Sequence, residues 1–134
     1  MDNLTFIIPF RDGHATIGKL LDSLPSDLPV IVIDDLSKEP LQLHRPNTRV
    51  VRLEARGYFS GAVNRGIKEC DTDVLILNQD VWFEDNRWQE LIEKHRAEYA
   101  MLGDGVTTHL AWRNGYVQGT MMFLRRDAID QVGW

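Results

Sequence analysis

The sequence predicts an α/β fold: a mostly parallel sheet with flanking helices and a short β-hairpin region toward the C-terminus. Three observations predict it. Residues 4–9 (LTFIIP), 30–33 (VIVI) and 74–77 (VLIL) are short apolar runs rich in branched side chains, the pattern of strands buried on both faces of a parallel sheet. Between them lie stretches with helical rather than alternating periodicity, and strands that alternate with helices imply crossover connections. Two of the runs also lead straight into acids, Asp34-Asp35 after the second and Asn78-Gln79-Asp80 after the third. Open α/β sheets meet ligands just outside the carboxyl ends of their strands. Asp80 is therefore expected where a hard cation or a phosphate-bearing ligand arrives, although residues 78–80 alone read equally well as a polar turn.

The first run closes on Pro9, which cannot donate to a strand ladder, and residues 10–14 follow as a polar loop around Gly13. Ile17, Leu20, Leu21 and Leu24 recur at three- and four-residue intervals, which predicts a helix over 15–24, broken by the prolines of 25–29. Residues 36–47 carry two prolines and no period, and read as a connector into a third strand, Val50-Val51-Arg52-Leu53. Ser60, Gly61 and Ala62 then open a helix whose small residues permit close packing on the sheet or on a ligand. A helix N-terminus there would aim backbone N–H groups at a bound anion; the glycines would equally serve to relieve crowding. Glu84-Asp85-Asn86 is expected to cap a helix over 87–99 with Trp88, Leu91, Ile92 and Tyr99 on one face. Residues 100–102 read as a short strand and Gly103-Asp104-Gly105 as a turn. Asn114-Gly115 signals a hairpin between 110–113 and 116–117. A last strand over 119–124 precedes Arg125-Arg126 and a helical turn from Asp127.

With 134 residues, 43% hydrophobic and 26% charged, residues 1–134 are expected to form a single domain. A net charge of −5 argues against nucleic acid as a partner, which calls for a basic footprint. No apolar run approaches the ~20 residues of a transmembrane helix, and Met1-Asp2-Asn3 opens no signal peptide. The lone Cys70 excludes an intrachain disulfide and fits a reducing, cytoplasmic setting, with peripheral membrane attachment and homo-oligomers left open. His14, His44, His95 and His109 show no metal-ligand spacing.

In this order the blocks resemble the Rossmann-like GT-A fold of nucleotide-diphospho-sugar transferases, above all the inverting glycosyltransferases of family 2. Phe6-Ile7-Ile8-Pro9-Phe10-Arg11-Asp12 is similar to that family's opening strand, and Asp34-Asp35-Leu36-Ser37 to its Asp-Asp-Gly-Ser signature, with Leu36 in place of the usual glycine. Residues 56–66, Arg56-Gly57 through Asn64-Arg65-Gly66, resemble its Asn-x-Gly…Ala-x-Asn-x-Gly helix. Asn78-Gln79-Asp80-Val81 resembles the Asn-Pro-Asp-Val form of its Asp-x-Asp metal motif, and residues 119–133 its later Gly…Arg-Arg…Val-Gly block.

The resemblance implies a donor domain that binds a nucleoside-diphosphate sugar, UDP- or dTDP-linked, with Mg²⁺ or Mn²⁺, and passes the sugar to an acceptor hydroxyl with inversion. Cleaving the sugar–phosphate bond builds negative charge on the diphosphate, which a divalent ion held by a carboxylate and the phosphates offsets. Asp80 is the implied metal ligand, with Asn78 a neutral oxygen donor where many members carry a first Asp. Asp35 would accept hydrogen bonds from the base or ribose, while Asp34 either joins it or orients the loop. Pro9, Phe10 and Arg11 would border the base. Asn64 and Arg65 belong to the donor-side helix, where Arg65 either reaches the diphosphate or stays solvated. The acceptor, whether glycan, lipid-linked or protein, is not legible. Transfer also needs a general base, which the family places after its Val-Gly block. The chain stops at Trp134, so the acceptor-binding part is expected to be missing and Asp104 is the fallback candidate. His109 is expected either near the metal or on the surface. A binding module without turnover and a sugar nucleotidyltransferase are the alternatives. The latter usually has a glycine-rich basic loop after the first strand, which Pro9-Phe10-Arg11-Asp12-Gly13 is not.

Overall fold

The computed structural model describes residues 1–106 and 116–133. Its elements run β1 (Leu4–Phe10), α1 (Ile17–Asp22), β2 (Val30–Asp34), β3 (Thr48–Arg52), α2 (Tyr58–Lys68), β4 (Asp73–Leu77), α3 (Arg87–His95), β5 (Met101–Val106), β6 (Tyr116–Leu124) and α4 (Arg126–Val132). The sheet order is β3-β2-β1-β4-β6-β5. β3, β2, β1 and β4 are mutually parallel, whereas β6 runs antiparallel to both β4 and β5. The predicted α/β architecture is therefore the observed one, with an antiparallel edge on a parallel core.

The aliphatic runs form these strands because both faces are covered. Phe6, Ile8 and Phe10 of β1 pack with Val30, Val32, Leu75 and Leu77 under the apolar sides of α1 and α3 (Ile17, Leu20, Leu21, Trp88, Ile92). The intervening Ile7, Val74 and Ile76 meet Val63 and Ile67 of α2 and Ile129 of α4, while Ile31 and Ile33 meet Ala62. Alternate residues thus serve opposite cores, and the few polar positions in these strands, Thr5, Asp34 and Asp73, are buried with hydrogen-bond partners. Gly66 sets how closely α2 approaches: a Cβ there would lie 2.5 Å from Ile7 Cγ2.

Several boundaries differ from the sequence reading. Gly103-Asp104-Gly105 is part of β5 rather than a turn, with an irregularity in the pairing between Gly103 and Gly105. A Cβ on Gly103 would collide with the Met121 carbonyl and lie 2.6 Å from Val117, so this glycine answers to a neighbouring strand. The predicted hairpin turn Asn114-Gly115 and its first strand lie outside the described residues, as do His109 and Trp134; Tyr116 and Val117 instead begin β6. α3 ends at His95, and beyond it Arg96 binds the carbonyls of Asp2 and Asn3 and the carboxylate of Asp73. Asn86 makes no side-chain cap; Asp85 takes the Arg87 amide at 3.0 Å instead. Among the described residues, no helix is long and apolar enough to cross a membrane.

Candidate functional site

β1 leads to β2 on one side while β4 pairs with it on the other, so the strand order reverses between β1 and β4. A crevice opens at the carboxyl ends of strands at such a switch point. Here it is a cleft of about 330 Å³ lined by Pro9, Phe10, Arg11, Asp35, Arg56, Tyr58, Phe59, Ala62, Asn78, Gln79 and Asp80. That volume lies within the range of small-molecule pockets, roughly 300–1,000 Å³.

One wall is built on Asp35. Its amide continues the β1–β2 pairing by donating to the Phe10 carbonyl at 2.8 Å. Its carboxylate accepts the amides of Gly57 (2.7 Å) and Tyr58 (2.9 Å) and Arg56 Nε (3.0 Å). Burial alone would raise the Asp35 carboxyl, but the Gly57 amide, the Arg56 guanidinium and the Tyr58 amide outweigh it and hold the group below its ordinary value. A carboxylate offers about four acceptor positions, so three protein donors leave capacity for one from a ligand. The same bonds fix the start of α2, where Tyr58 sits in the left-handed region at φ 57°. Tyr58 is 67% exposed, lines the cleft and carries the Arg56 guanidinium 4.3 Å from its ring centre. Leu36, where the resemblance expects glycine, is likewise left-handed at φ 55°, a conformation that costs a side-chain-bearing residue roughly 1–2 kcal/mol.

The opposite wall is the turn after β4. Asn78 stays tied to β6 through its amide on the Thr120 carbonyl (3.2 Å), and Asp80 is exposed at the mouth. Among the described residues no group of three or more His, Cys, Asp or Glu could cage a metal. The donor set that lines the cleft is instead one free-standing carboxylate, Asp80, with the Asn78 amide beside it. That set fits an ion shared with substrate oxygens, the usual state of Mg²⁺ at phosphate sites. It does not fit an ion held by protein alone.

Of the residues singled out from sequence, the cleft gathers Pro9, Phe10, Arg11, Asp35, Asn78 and Asp80. Asp34 is not among them. It is fully buried, and its oxygens accept the amides of Ser37 (2.9 Å) and Leu41 (3.1 Å) and Arg52 Nη1 (3.0 Å). Asn64 lies in a separate apolar groove with Val63, Ile67 and Met122, and Arg65 pairs with Glu69 at 2.7 Å toward the far end of α2. Neither lines the cleft: the donor-side role implied for Asn64 is not seen there, and Arg65 takes the solvated alternative. Asp104 is exposed on β5 and lines no part of the cleft. Arg126, in the later resembling block, braces the protein instead: its guanidinium donates to the carbonyls of Thr72 and Cys70 and its amide to Asp73. Sequence reasoning missed Arg56, Tyr58, Phe59 and Gln79 as lining residues. Arg56 and the Tyr58 amide are drawn in by the Asp35 carboxylate and Phe59 follows on the next helix position, and nothing in their spacing announces it.

The chain matches the family described as glycosyl transferase family 2 over residues 5–131. No curated protein matches it. Among solved structures it is similar to S. aureus TarS 1–349, with a TM-score of 0.73 and 18% identity over 98% of this chain and 49% of that one. The same protein in complex with UDP-GlcNAc gives a TM-score of 0.72 at 17% identity, covering 98% of this chain and 47% of that chain. Its complex with UDP gives 0.69 at 17% identity, covering 98% and 49%. At this identity the likeness shows the fold, and the chain spans about half the length of these proteins.

Proposed function

Since the chain belongs to glycosyl transferase family 2, we propose that its cleft is the donor site of an inverting glycosyltransferase, holding a nucleoside-diphosphate sugar, a UDP-sugar first, with Mg²⁺ or Mn²⁺. One observation carries this reading: Asp35 and Asp80 stand on opposite walls of one cleft at the strand switch point. The TarS complexes with UDP-GlcNAc and UDP support uracil as the base. Asp35 would use its remaining acceptor position for a donor on the base or ribose. The exposed faces of Tyr58 and Phe59 supply a surface on which a base can stack, an interaction worth about 1–3 kcal/mol per base. Arg11 and Arg56, each about one-third exposed at the side chain (39% and 34%), place positive charge beside an anionic ligand.

Asp80, with Asn78 behind it, would hold the ion against the diphosphate. When bound, that ion would offset charge developing on the leaving group. From Phe59 and Asn78 a second groove runs on to Val117, Gln118, Gly119 and Thr120, which gives the sugar a place beyond the phosphates. The cleft's carboxylates are Asp35 and Asp80, both already engaged in this scheme, so the general base is sought outside the described lining.

Calorimetric titration with UDP, dTDP and GDP, each with and without Mn²⁺ or Mg²⁺, tests the reading. UDP is expected to bind in the micromolar to millimolar range and more tightly with metal, and GDP weakly. Failure of all three nucleotides to bind would remove the donor-site assignment.

A further inference from the structure

We propose that Gln79 is a positioning residue that couples the base wall of the cleft to its metal wall, a role that rests on the donor-site reading above. Its side-chain amide accepts the Arg11 amide at 2.8 Å and donates from Nε2 to the Arg11 carbonyl at 3.1 Å. It thus engages both backbone groups of one residue, as a neighbouring strand would. The Gln79 carbonyl in turn accepts Thr16 Oγ1 at 3.2 Å. Gly13 backs this arrangement: a Cβ there would lie 2.5 Å from Gln79 Cδ and 2.7 Å from Oε1. The amide is seated against bare backbone and has no room on that side.

The place of this bridge gives it consequence. The β1–β4 register ends at Ile7 opposite Ile76, and beyond it the two strands part to form the cleft. Gln79 closes that gap one residue before Asp80. On the other side Arg11 Nη1 donates to the Asp35 carbonyl at 3.1 Å, and the Asp12 amide to Ser37 Oγ at 2.9 Å. One side chain therefore links the turn that carries Asp80 to the loop that carries Asp35. Groups that engage two ends of one ligand must keep their spacing, and a misplacement of about 1 Å can cost on the order of 10²-fold.

Gln79→Met keeps the side chain's length and removes both hydrogen bonds. UDP is titrated into the parent chain and the variant with and without Mn²⁺, and the factor by which Mn²⁺ tightens UDP is compared. That factor is expected to fall roughly tenfold or more, the scale seen when partners of metal ligands are removed. Metal-free UDP affinity should fall by a smaller factor than affinity with Mn²⁺, and the Arg11 amide should exchange faster with solvent in the ligand-free variant. Equal weakening with and without Mn²⁺, or unchanged Arg11 exchange, overturns the positioning role while leaving the donor site standing. A parent chain that binds no nucleotide overturns the donor-site reading and the coupling with it. Should Gln79→Met fail to fold, Gly13→Ala presses on the same amide from the opposite side, and an unchanged factor there overturns the proposal.

Discussion

Replacing Asp34 with alanine is expected to destabilise the protein by about 3–5 kcal/mol, the scale for stripping one partner from a buried ion pair. The carboxylate is fully buried at the end of β2 and accepts from Ser37, Leu41 and Arg52. Its removal orphans the Ser37 and Leu41 amides, each costing roughly 1–3 kcal/mol when left without a partner. Part of this returns as Arg52, 37% exposed, turns to water. For a domain of this size the melting temperature should drop by roughly 10 °C or more. The effect has a pH signature. Burial would raise the Asp34 carboxyl, but the hydrogen bonds from Ser37 and Leu41 and the charge of Arg52 lower it below its ordinary 3.8. A depressed folded-state value means a contribution that is full above the unfolded value and lost as pH falls through the folded one. Thermal melts of parent and variant should therefore differ most above about pH 4 and converge below it. A variant as stable as the parent at neutral pH would show that the loop after β2 does not depend on this carboxylate.

Asp80→Asn is expected to abolish the tightening of UDP by Mn²⁺, a loss of roughly 100-fold or more if loss of mere outer partners costs 10–100-fold. Stability should hold or rise slightly, because an isolated acid at a ligand site is kept at some expense to the fold. Asp80 is exposed and lines the cleft mouth, so nothing in the core depends on it. Calorimetry and a melt on the same sample separate the outcomes. A fall of many degrees would make Asp80 a structural cap, and retained Mn²⁺ dependence would move the metal elsewhere.

The contrast between these two acids marks how far the sequence could be read. The runs that became β1, β2 and β4 were legible because parallel strands buried on both faces read as near-continuous apolar stretches. The carboxyl ends carrying Asp34-Asp35 and Asp80 were legible for the same reason. Asp35 was placed at the ligand through the family resemblance, whereas Asp34 stayed open between ligand and loop; consecutive residues leave a strand on opposite sides, and Asp34 holds the loop. The helix period carries Asn64 and Arg65 away from the cleft that Tyr58, Phe59 and Ala62 reach, which leaves Arg65 on the solvated face, the second of its two readings. Gly103 read as a turn because its reason lies in a carbonyl of β6, distant in sequence. Nothing local in Asn78-Gln79-Asp80 marks Gln79, because its partners, Arg11 and Thr16, lie more than sixty residues upstream.

If the Asp35 and Asp80 walls together form one donor site, one ligand must report on both. Amide spectra of the chain with UDP, followed by a trace of paramagnetic Mn²⁺, provide that test. UDP should shift Arg11, Asp35, Gly57 and Tyr58, and Mn²⁺ added to that complex should broaden Asn78, Gln79 and Asp80 first. Shifts centred on the apolar groove of Val63, Ile67 and Met122, or broadening spread over surface carboxylates without preference for Asp80, would contradict the claim.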